Sequence, residues 1–248
     1  MADLIFPPDI YCMHCGKPLK RGSLYSLCES CVSDVKWANG RFCRYCGKIL
    51  EDWYPDDVCG ECKNNERAFD SGITCFQYTD MERLLIKEFK YHGKSYMARN
   101  FAEMLQDKIH ALYDTVPFDM VIPVPMFAAK EKKRGYNQAA LLAGYTAERL
   151  DISFRGDVLL RVKNTAPMNR LGISDREKNL KDAFRLRYGT EQLVCGRHIL
   201  LVDDIYTTGA TAQQCSKILK QAGASKVTVL SLASGRNQRP LKDITFDL

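Results

Sequence analysis

The segment ILLVDDIYTTGATA, residues 199–212, decides the fold of this chain. Four apolar residues lead directly into two acids, Asp203 and Asp204. An apolar run that ends in carboxylates is typical of a buried parallel strand whose carboxyl end opens into a ligand site. Hydroxyls and free backbone N–H groups at the start of the following helix favour a phosphate, so the segment predicts a sugar-phosphate site. The phosphate-binding candidates are Thr207, Thr208, Gly209, Ala210 and Thr211.

This segment resembles the phosphoribosyl pyrophosphate (PRPP) motif of type I phosphoribosyltransferases. The resemblance implies that Asp203 and Asp204 hold the ribose 2′- and 3′-hydroxyls and are the catalytic pair, while residues 207–211 wrap the 5′-phosphate. The alternative is an ordinary strand-to-helix turn in which Asp204 or a threonine caps the helix. A cap needs only one acid or threonine, whereas the segment offers two acids and three threonines, which favours the ligand site.

The composition is that of a soluble globular protein. The 248 residues suit one large domain or two small ones, and 46% hydrophobic with 27% charged residues is ordinary. No run of 18 apolar residues is present, so we expect no membrane insertion. The first twelve residues lack a basic segment and a long apolar stretch, so we expect no secretory signal and a cytoplasmic location.

Eight of the eleven cysteines form four Cys-x-x-Cys pairs with 11 or 12 residues between pairs. Pairs repeated at this separation predict structural Cys₄ zinc sites, and two sites in about 60 residues indicate a duplicated ribbon that needs metal to fold. Sequential pairing assigns one Zn²⁺ to Cys12, Cys15, Cys28 and Cys31, and the other to Cys43, Cys46, Cys59 and Cys62.

Other arrangements of these cysteines are a crossed pairing, disulfides, a redox dithiol or an iron–sulfur cluster. Disulfides need an oxidising compartment, for which no signal is present, and a redox Cys-x-x-Cys normally occurs once. Spacing alone does not exclude the crossed pairing. Cys75, Cys195 and Cys215 stand alone and are interpreted as packing residues.

Basic and aromatic residues alternate in the cysteine-rich head. This mixture suits single-stranded nucleic acid, although a solvated face around two small cores is the alternative. The formal net charge of +6 falls to about +2 when eight thiolates bind two Zn²⁺, so global charge is a weak argument for DNA. The residues are Lys17, Lys20, Arg21, Tyr25, Trp37, Arg41, Phe42, Arg44, Tyr45 and Lys48.

The remainder of the chain alternates predicted strands with predicted helices. This order indicates an α/β fold with a parallel sheet flanked by helices. We expect the zinc-ribbon domain to span residues 1–66 and the second domain residues 70–248. The predicted strands are residues 73–78, 120–124, 199–203 and 226–233, and the predicted helices are residues 81–92, 98–113, 138–150 and 211–221, with Asp80 capping the first helix and Gly223 ending the last.

A basic cluster follows the strand that Pro123 and Pro125 close. The sequence predicts a basic loop here, and its cations would repel one another unless an anion such as pyrophosphate joins them. A solvated loop is the alternative. The cations are Lys130, Lys132, Lys133 and Arg134.

Two further clusters point to the same site. Arg170 and Arg176 flank Gly172 in a polar stretch that is interpreted as a loop closing over a ligand, or alternatively as an ordinary surface loop. Lys90 belongs to a cationic helix end, residues 87–94, where the helix dipole alone favours positive charge by about 0.3–1 kcal/mol.

Taken together, these motifs resemble the ComF (ComFC) family over essentially the whole chain. A double Cys₄ ribbon is followed by FKYHGK, IPVP, RGYNQA, KNLKDAF and LVDDIYTTGATA in the family's order. The resemblance implies a zinc-ribbon head on a type I phosphoribosyltransferase-like domain, a site for PRPP with Mg²⁺, and a role in natural DNA uptake. It implies that Lys133, Arg134 and Arg176 receive the pyrophosphate and that Lys90 joins the site. Met168 stands where the family commonly has Gln.

Three functional hypotheses follow. The protein is a DNA-uptake factor that engages single-stranded DNA and binds PRPP, an active Mg²⁺-dependent phosphoribosyltransferase with an unknown acceptor, or a scaffold that docks a helicase or another competence protein. Steep salt dependence of oligonucleotide binding would distinguish the first. Acceptor-dependent release of pyrophosphate would distinguish the second.

Overall fold

A five-stranded parallel sheet organises the structure, a computed structural model that describes residues 10–165 and 180–235. The strand order is β1-β7-β6-β2-β3, which places β6 at the centre. A separate antiparallel pair, β4 and β5, was not predicted. The strands are β1 Ser71–Gln77, β2 Met120–Pro123, β3 Ser153–Phe154, β4 Leu159–Arg161, β5 Phe184–Leu186, β6 His198–Tyr206 and β7 Lys226–Ser234.

The helices cover both faces of the sheet. Leu200 and Val202 of β6 belong to the core on the side of α3, α4 and α6, whereas Ile199 and Leu201 belong to the core on the side of α8. This alternation follows from the two-residue period of a strand. The helices are α1 Glu29–Asp34, α2 Gly60–Asn64, α3 Asp80–Tyr91, α4 Met97–His110, α5 Ala128–Arg134, α6 Gln138–Leu150, α7 Glu191–Val194 and α8 Ala210–Gln221.

The two ribbons pack on opposite faces of the sheet. Cys12 and Cys31 join the core that contains α4, and Cys43 and Cys59 join the core that contains α8. The linker between the ribbons crosses the edge of β1. There the Ala38 N–H donates to the Cys75 carbonyl at 2.9 Å, and the Gln77 N–H donates to the Lys36 carbonyl at 2.8 Å. These bonds cover an edge strand that would otherwise present unpaired backbone groups.

The predicted fold class is confirmed: a parallel sheet flanked by helices stands beside a small cysteine-rich head. Helix 138–150 has the predicted bounds, and Gly223 follows α8 with a φ of +92°. The motif strand runs three residues beyond its predicted end, to Tyr206. Within the residues that the structure describes, no helix combines the length and apolar character needed to cross a bilayer.

Three local predictions were wrong. Thr79, not Asp80, occupies the N-cap of α3, and Asp80 is its first residue. Residues 128–134 form helix α5 rather than a basic loop, because Ala, Lys, Glu and Arg all favour helices. Cys195 is exposed rather than packed, whereas Cys75 and Cys215 are buried as expected.

Candidate functional site

The acid pair lies at the carboxyl end of the central strand. The Asp204 N–H donates to Asp203 Oδ1 at 2.8 Å, which fixes the first carboxylate against the backbone. Lys90 Nζ, near the end of α3, lies 2.7 Å from Asp204 Oδ2, and these two side chains are only 18% and 15% exposed. The structure therefore brings together Asp203, Asp204 and Lys90.

Burial and neighbouring charges shift the pKa values of Asp203 and Lys90. Burial, followed by the charge of Asp204, raises the pKa of Asp203 to about 7, although Lys90 and Arg161 act in the opposite direction. Burial alone would lower the pKa of Lys90, but the carboxylates of Asp204 and Asp203 outweigh it and raise that pKa. Lys90 is therefore a cation at neutral pH, and Asp203 changes its charge near neutrality.

The turn between β6 and α8 has the features of an anion site. Gly209 is the N-cap of α8 with a φ of +80°, a left-handed conformation that glycine adopts at little cost. Its carbonyl accepts the Gln213 N–H at 2.7 Å, while the first N–H groups of the helix face the turn. Among the described residues, the buried hydroxyls of Thr208 and Tyr206 have no hydrogen-bond partner.

A cavity of about 880 Å³ opens over the strand ends and this turn. Its lining contains Asp203, Asp204, Thr207, Gly209, Ala210, Thr211, Lys90 and Arg134 from the predicted site. Thr208 and Lys133 are not part of that lining, and Lys133 is exposed on α5. Arg176, Arg170, Gly172 and Met168 lie outside the described residues. The functional roles assigned to all of these residues stay predictions.

Six cationic side chains of the described residues line the same cavity as the acids. Lys130 Nζ donates to the Thr165 carbonyl at 2.7 Å, and Arg134 lies 4.9 Å over the ring of Tyr91. Gly135, with a φ of +92°, ends α5 directly after Arg134. The cations that line the cavity are Arg83, Lys87, Lys90, Lys130, Arg134 and Arg161.

Arg161 is a site residue that sequence reasoning missed. Arg161 is the last residue of β4. Its guanidinium lies 5.3 Å from the centroid of the Phe184 ring and donates a hydrogen bond to the Thr165 hydroxyl. Burial lowers the pKa of this guanidinium. No local pattern marks a lone arginine at the end of a three-residue strand, since the hairpin brings it to the cavity through tertiary packing.

The cysteines form two separate clusters with the sequential pairing. In each cluster the four sulfurs lie within 4.8 Å of one another. Cys15 and Cys28 Sγ are 3.7 Å apart, as are Cys46 and Cys59 Sγ. Tetrahedral coordination with Zn–S bonds of about 2.3 Å requires sulfurs about 3.8 Å apart, so both clusters fit Zn²⁺. Both are four-thiolate structural sites, and the crossed pairing is excluded.

Three of the basic and aromatic residues of the head make structural contacts. Arg41 donates to the Tyr54 carbonyl at 2.8 Å and to Asp57 Oδ1 at 2.9 Å. Lys48 is buried and lies 2.6 Å from Glu61 Oε2. The Tyr25 hydroxyl donates to Asp107 Oδ2 of α4 at 2.8 Å. These residues are therefore structural, and any ligand surface on the head is smaller than the sequence suggested.

Known proteins resemble the chain over nearly its full length. Residues 1–63 match the model of the double zinc ribbon domain. Competence protein F of Haemophilus influenzae is 32% identical over 229 residues, which cover 90% of this chain and 96% of that protein. DNA utilization protein YhgH of Salmonella typhimurium is 31% identical, with 89% and 95% covered. Competence protein ComFC of Bacillus subtilis is 28% identical, with 83% of each covered.

Solved structures are similar to part of the chain. Glutamine PRPP amidotransferase from B. subtilis is 18% identical with a TM-score of 0.39, covering 58% of this chain and 30% of that one. An adenine phosphoribosyltransferase is 14% identical with a TM-score of 0.36, covering 61% and 84%. Scores this low carry no functional argument. The 32% identity to competence protein F extends over 90% of the chain and shows its family. The chain belongs to the family of competence protein F and ComFC.

Proposed function

We propose that this protein is a cytoplasmic DNA-utilisation factor whose cavity binds PRPP together with Mg²⁺. The observation that carries the proposal is that an acid pair and a glycine turn line one cavity, with Lys90 Nζ 2.7 Å from Asp204 Oδ2. The DNA role rests on the names of the relatives, competence protein F and DNA utilization protein YhgH.

The charges of the cavity suit this ligand. PRPP carries a phosphate at one end, a pyrophosphate at the other, and ribose hydroxyls between them. Carboxylates accept hydrogen bonds from hydroxyls, and backbone N–H groups at a helix start favour phosphate. In this proposal Asp203 and Asp204 hold the ribose and residues 207–211 hold the 5′-phosphate. Arg134, with Lys133 and Arg176, receives the pyrophosphate, and Mg²⁺ arrives with that group.

Isothermal titration with PRPP and Mg²⁺ tests this proposal. Wild-type protein is expected to bind with one site per chain, and the Asp203→Asn/Asp204→Asn variant to bind at least about tenfold more weakly. Ribose 5-phosphate, which lacks the pyrophosphate, is the matched ligand control and should bind more weakly than PRPP. Absence of binding by the wild type, with correct folding shown by circular dichroism, would remove the PRPP site.

A second candidate, phosphoribosyl transfer, is favoured by the partly buried acid pair beside six cations. The lone pair of an acceptor nitrogen would attack the anomeric carbon as the carbon–oxygen bond to pyrophosphate breaks. Pyrophosphate would leave with that electron pair, and the Arg134 guanidinium together with bound Mg²⁺ would offset its charge. Acceptor-dependent pyrophosphate release, lost in the double Asp→Asn variant, is the test. Silence across bases, nucleotides and small amines would count against it.

Engagement of single-stranded DNA is the remaining part of the proposal. Arg44 lies 5.0 Å over the ring of Tyr45 on the head, and both residues are exposed. Cation–aromatic pairs of this kind stack with bases. Fluorescence anisotropy of a labelled oligonucleotide should show binding that falls steeply with salt and weakens in Arg44→Ala. Arg41→Ala is an unsuitable probe because that side chain supports the ribbon.

A further inference from the structure

A chain of side-chain contacts leads from the second cysteine cluster to the end of the motif strand. Arg67 Nε donates to Cys62 Sγ at 3.4 Å, and the Arg67 guanidinium lies 5.9 Å over the ring of Phe69. The ring of Phe69 meets the ring of Tyr206 edge to face, with centroids 6.2 Å apart. Tyr206 is the last residue of β6 and directly precedes the phosphate turn, residues 207–211.

The Tyr206 side chain packs against the phosphate turn. Its side chain is almost fully buried, and a Cβ placed on Gly209 would overlap its hydroxyl group. The backbone of Gly209 therefore rests directly on the Tyr206 ring. Any shift of that ring moves the glycine that forms the N-cap of α8, because closely packed atoms have no free space to absorb the displacement.

A second connection reaches the helix that follows the turn. Gln213 Oε1 accepts the Ala68 N–H at 2.9 Å, and Gln213 Nε2 donates to the Glu66 carbonyl at 3.1 Å. At the other end of α8, Lys220 Nζ lies 2.8 Å from Asp70 Oδ2. The segment that leaves the second cluster, residues 66–70, thus holds α8 at both ends.

The first cluster makes different contacts. Its neighbour Tyr25 bonds Asp107 of α4, and the linker carbonyl of Ala38 accepts from Lys108. These contacts lie on the face of the sheet opposite α8. Among the described residues, the bonds from the head to α8 come from the segment after the second cluster.

From these contacts we propose that the second cysteine cluster positions the phosphate turn, with Arg67 and Gln213 as positioning residues. The inference rests on the proposed PRPP site. A turn that is already ordered binds its ligand more tightly, because the entropy of ordering is not lost again on binding. Coupling between two sites is reciprocal, so PRPP also stabilises zinc in the second cluster.

The first test separates Gln213 from a matched neighbour. Gln213→Ala removes both bonds to residues 66–68, and Gln214→Ala is the control on the same helix. Titration with PRPP and Mg²⁺ should show about fivefold to tenfold weaker binding in Gln213→Ala alone. Amide hydrogen exchange of residues 207–213 should accelerate in the same variant without ligand, while its zinc content stays at two ions per chain.

The second test compares the clusters directly. Cys62→Ser and Cys31→Ser each alter the last cysteine of a cluster, and both cysteines are buried. Only Cys62→Ser should weaken PRPP binding and speed exchange of the turn. Should Cys62→Ser fail to fold, Arg67→Gln keeps all four thiols and should show the same change. In wild-type protein, saturating PRPP should slow the release of one of the two zinc ions to a chelator.

The outcomes separate this inference from the PRPP proposal. If wild-type protein binds PRPP and Gln213→Ala and Arg67→Gln bind it equally well, the positioning role is wrong and the PRPP site stands. Equal weakening by Cys31→Ser and Cys62→Ser would also overturn it, since general loss of stability would then be the cause. If the wild type does not bind PRPP but exchange accelerates only in Gln213→Ala and Arg67→Gln, the positioning role is supported and the PRPP site is wrong.

Discussion

The two ribbons of the head share one sequence pattern but occupy different environments. In the first, Cys15 is exposed and Cys28 is half-buried, whereas all four cysteines of the second are buried. The first packs on the face that carries α4, and the second packs on the face that carries α8 and the motif turn. Two ribbons with the same cysteine pattern therefore pack against opposite faces of one sheet.

The largest expected difference between the ribbons concerns the metal sites. Cys43→Ser and Cys12→Ser each remove the first cysteine of a cluster, and each variant should lose one zinc ion per chain. Cys43→Ser should lower the free energy of unfolding by about 4 kcal/mol or more, and Cys12→Ser by about half as much, because all four cysteines of the second cluster are buried whereas Cys15 of the first is exposed. Thermal unfolding with zinc analysis measures both. Equal losses would mean that the two environments are energetically alike.

Equivalent glycines give a sharper contrast. Gly16 and Gly47 follow their clusters at the same offset, with φ values of +72° and +69°. A Cβ at Gly16 meets nothing within 4 Å, whereas a Cβ at Gly47 would overlap the carbonyl of Gly72 in β1. Gly16→Ala should cost about 1 kcal/mol from its left-handed backbone alone. Gly47→Ala should cost about 3 kcal/mol or more, because backbone atoms must also move.

Chemical denaturation of the two glycine variants measures this difference. A Gly47→Ala variant as stable as Gly16→Ala would show that the second ribbon does not contact β1 as closely as described. Zinc content serves as the control, since neither substitution removes a ligand.

The acid pair of β6 offers a further comparison, between Asp203 and Asp204. Because the pKa of Asp203 is raised to about 7, the folded protein binds a proton there that the unfolded chain has lost above about pH 4. The stability from this group is fully present below about pH 4 and is lost as the pH rises through 7. Asp203→Asn should therefore stabilise the protein at about pH 8 by on the order of 2 kcal/mol, with little effect at low pH.

Asp204→Asn is the matched control for that variant. It removes the partner of Lys90 at 2.7 Å and leaves a cation that is mostly buried without its counter-charge. We expect it to destabilise the protein at about pH 8, opposite in sign to Asp203→Asn. Unfolding curves at about pH 5 and pH 8 check both, and destabilisation by Asp203→Asn at the higher pH would contradict the raised pKa.

The parts of this structure that could be predicted are those encoded over short distances in the chain. The Cys-x-x-Cys spacing predicted both clusters, and residues 199–212 predicted a strand, an acid pair and a turn in their observed order. Helix α5 could also have been predicted, because AAKEKKR contains strong helix formers. The neighbouring prolines and dense charge led to the prediction of a loop instead.

The contacts that could not be predicted join residues that are far apart in sequence. Gln213 and Ala68 are separated by 145 residues, and their bond depends on how the second ribbon packs on the sheet. Arg161 enters the cavity because β4 pairs with β5, which begins at Phe184, 23 residues further along the chain. Lys90 carried a weak local signal, and only the fold places it against Asp204. Such positions follow from the assembled sheet rather than from local pattern.

The smallest expected effect tests the first ribbon alone. Tyr25→Phe removes the hydroxyl that donates to Asp107 Oδ2 at 2.8 Å and keeps the ring, whose centroid lies 5.4 Å from that of Trp37. A typical hydrogen bond contributes about 0.5–1.5 kcal/mol net and this one is exposed, so a fall in unfolding free energy of less than about 1 kcal/mol is expected. PRPP affinity should not change, because this contact lies on the face opposite the motif turn. A weaker PRPP affinity in Tyr25→Phe would show that both ribbons, and not the second alone, support the site.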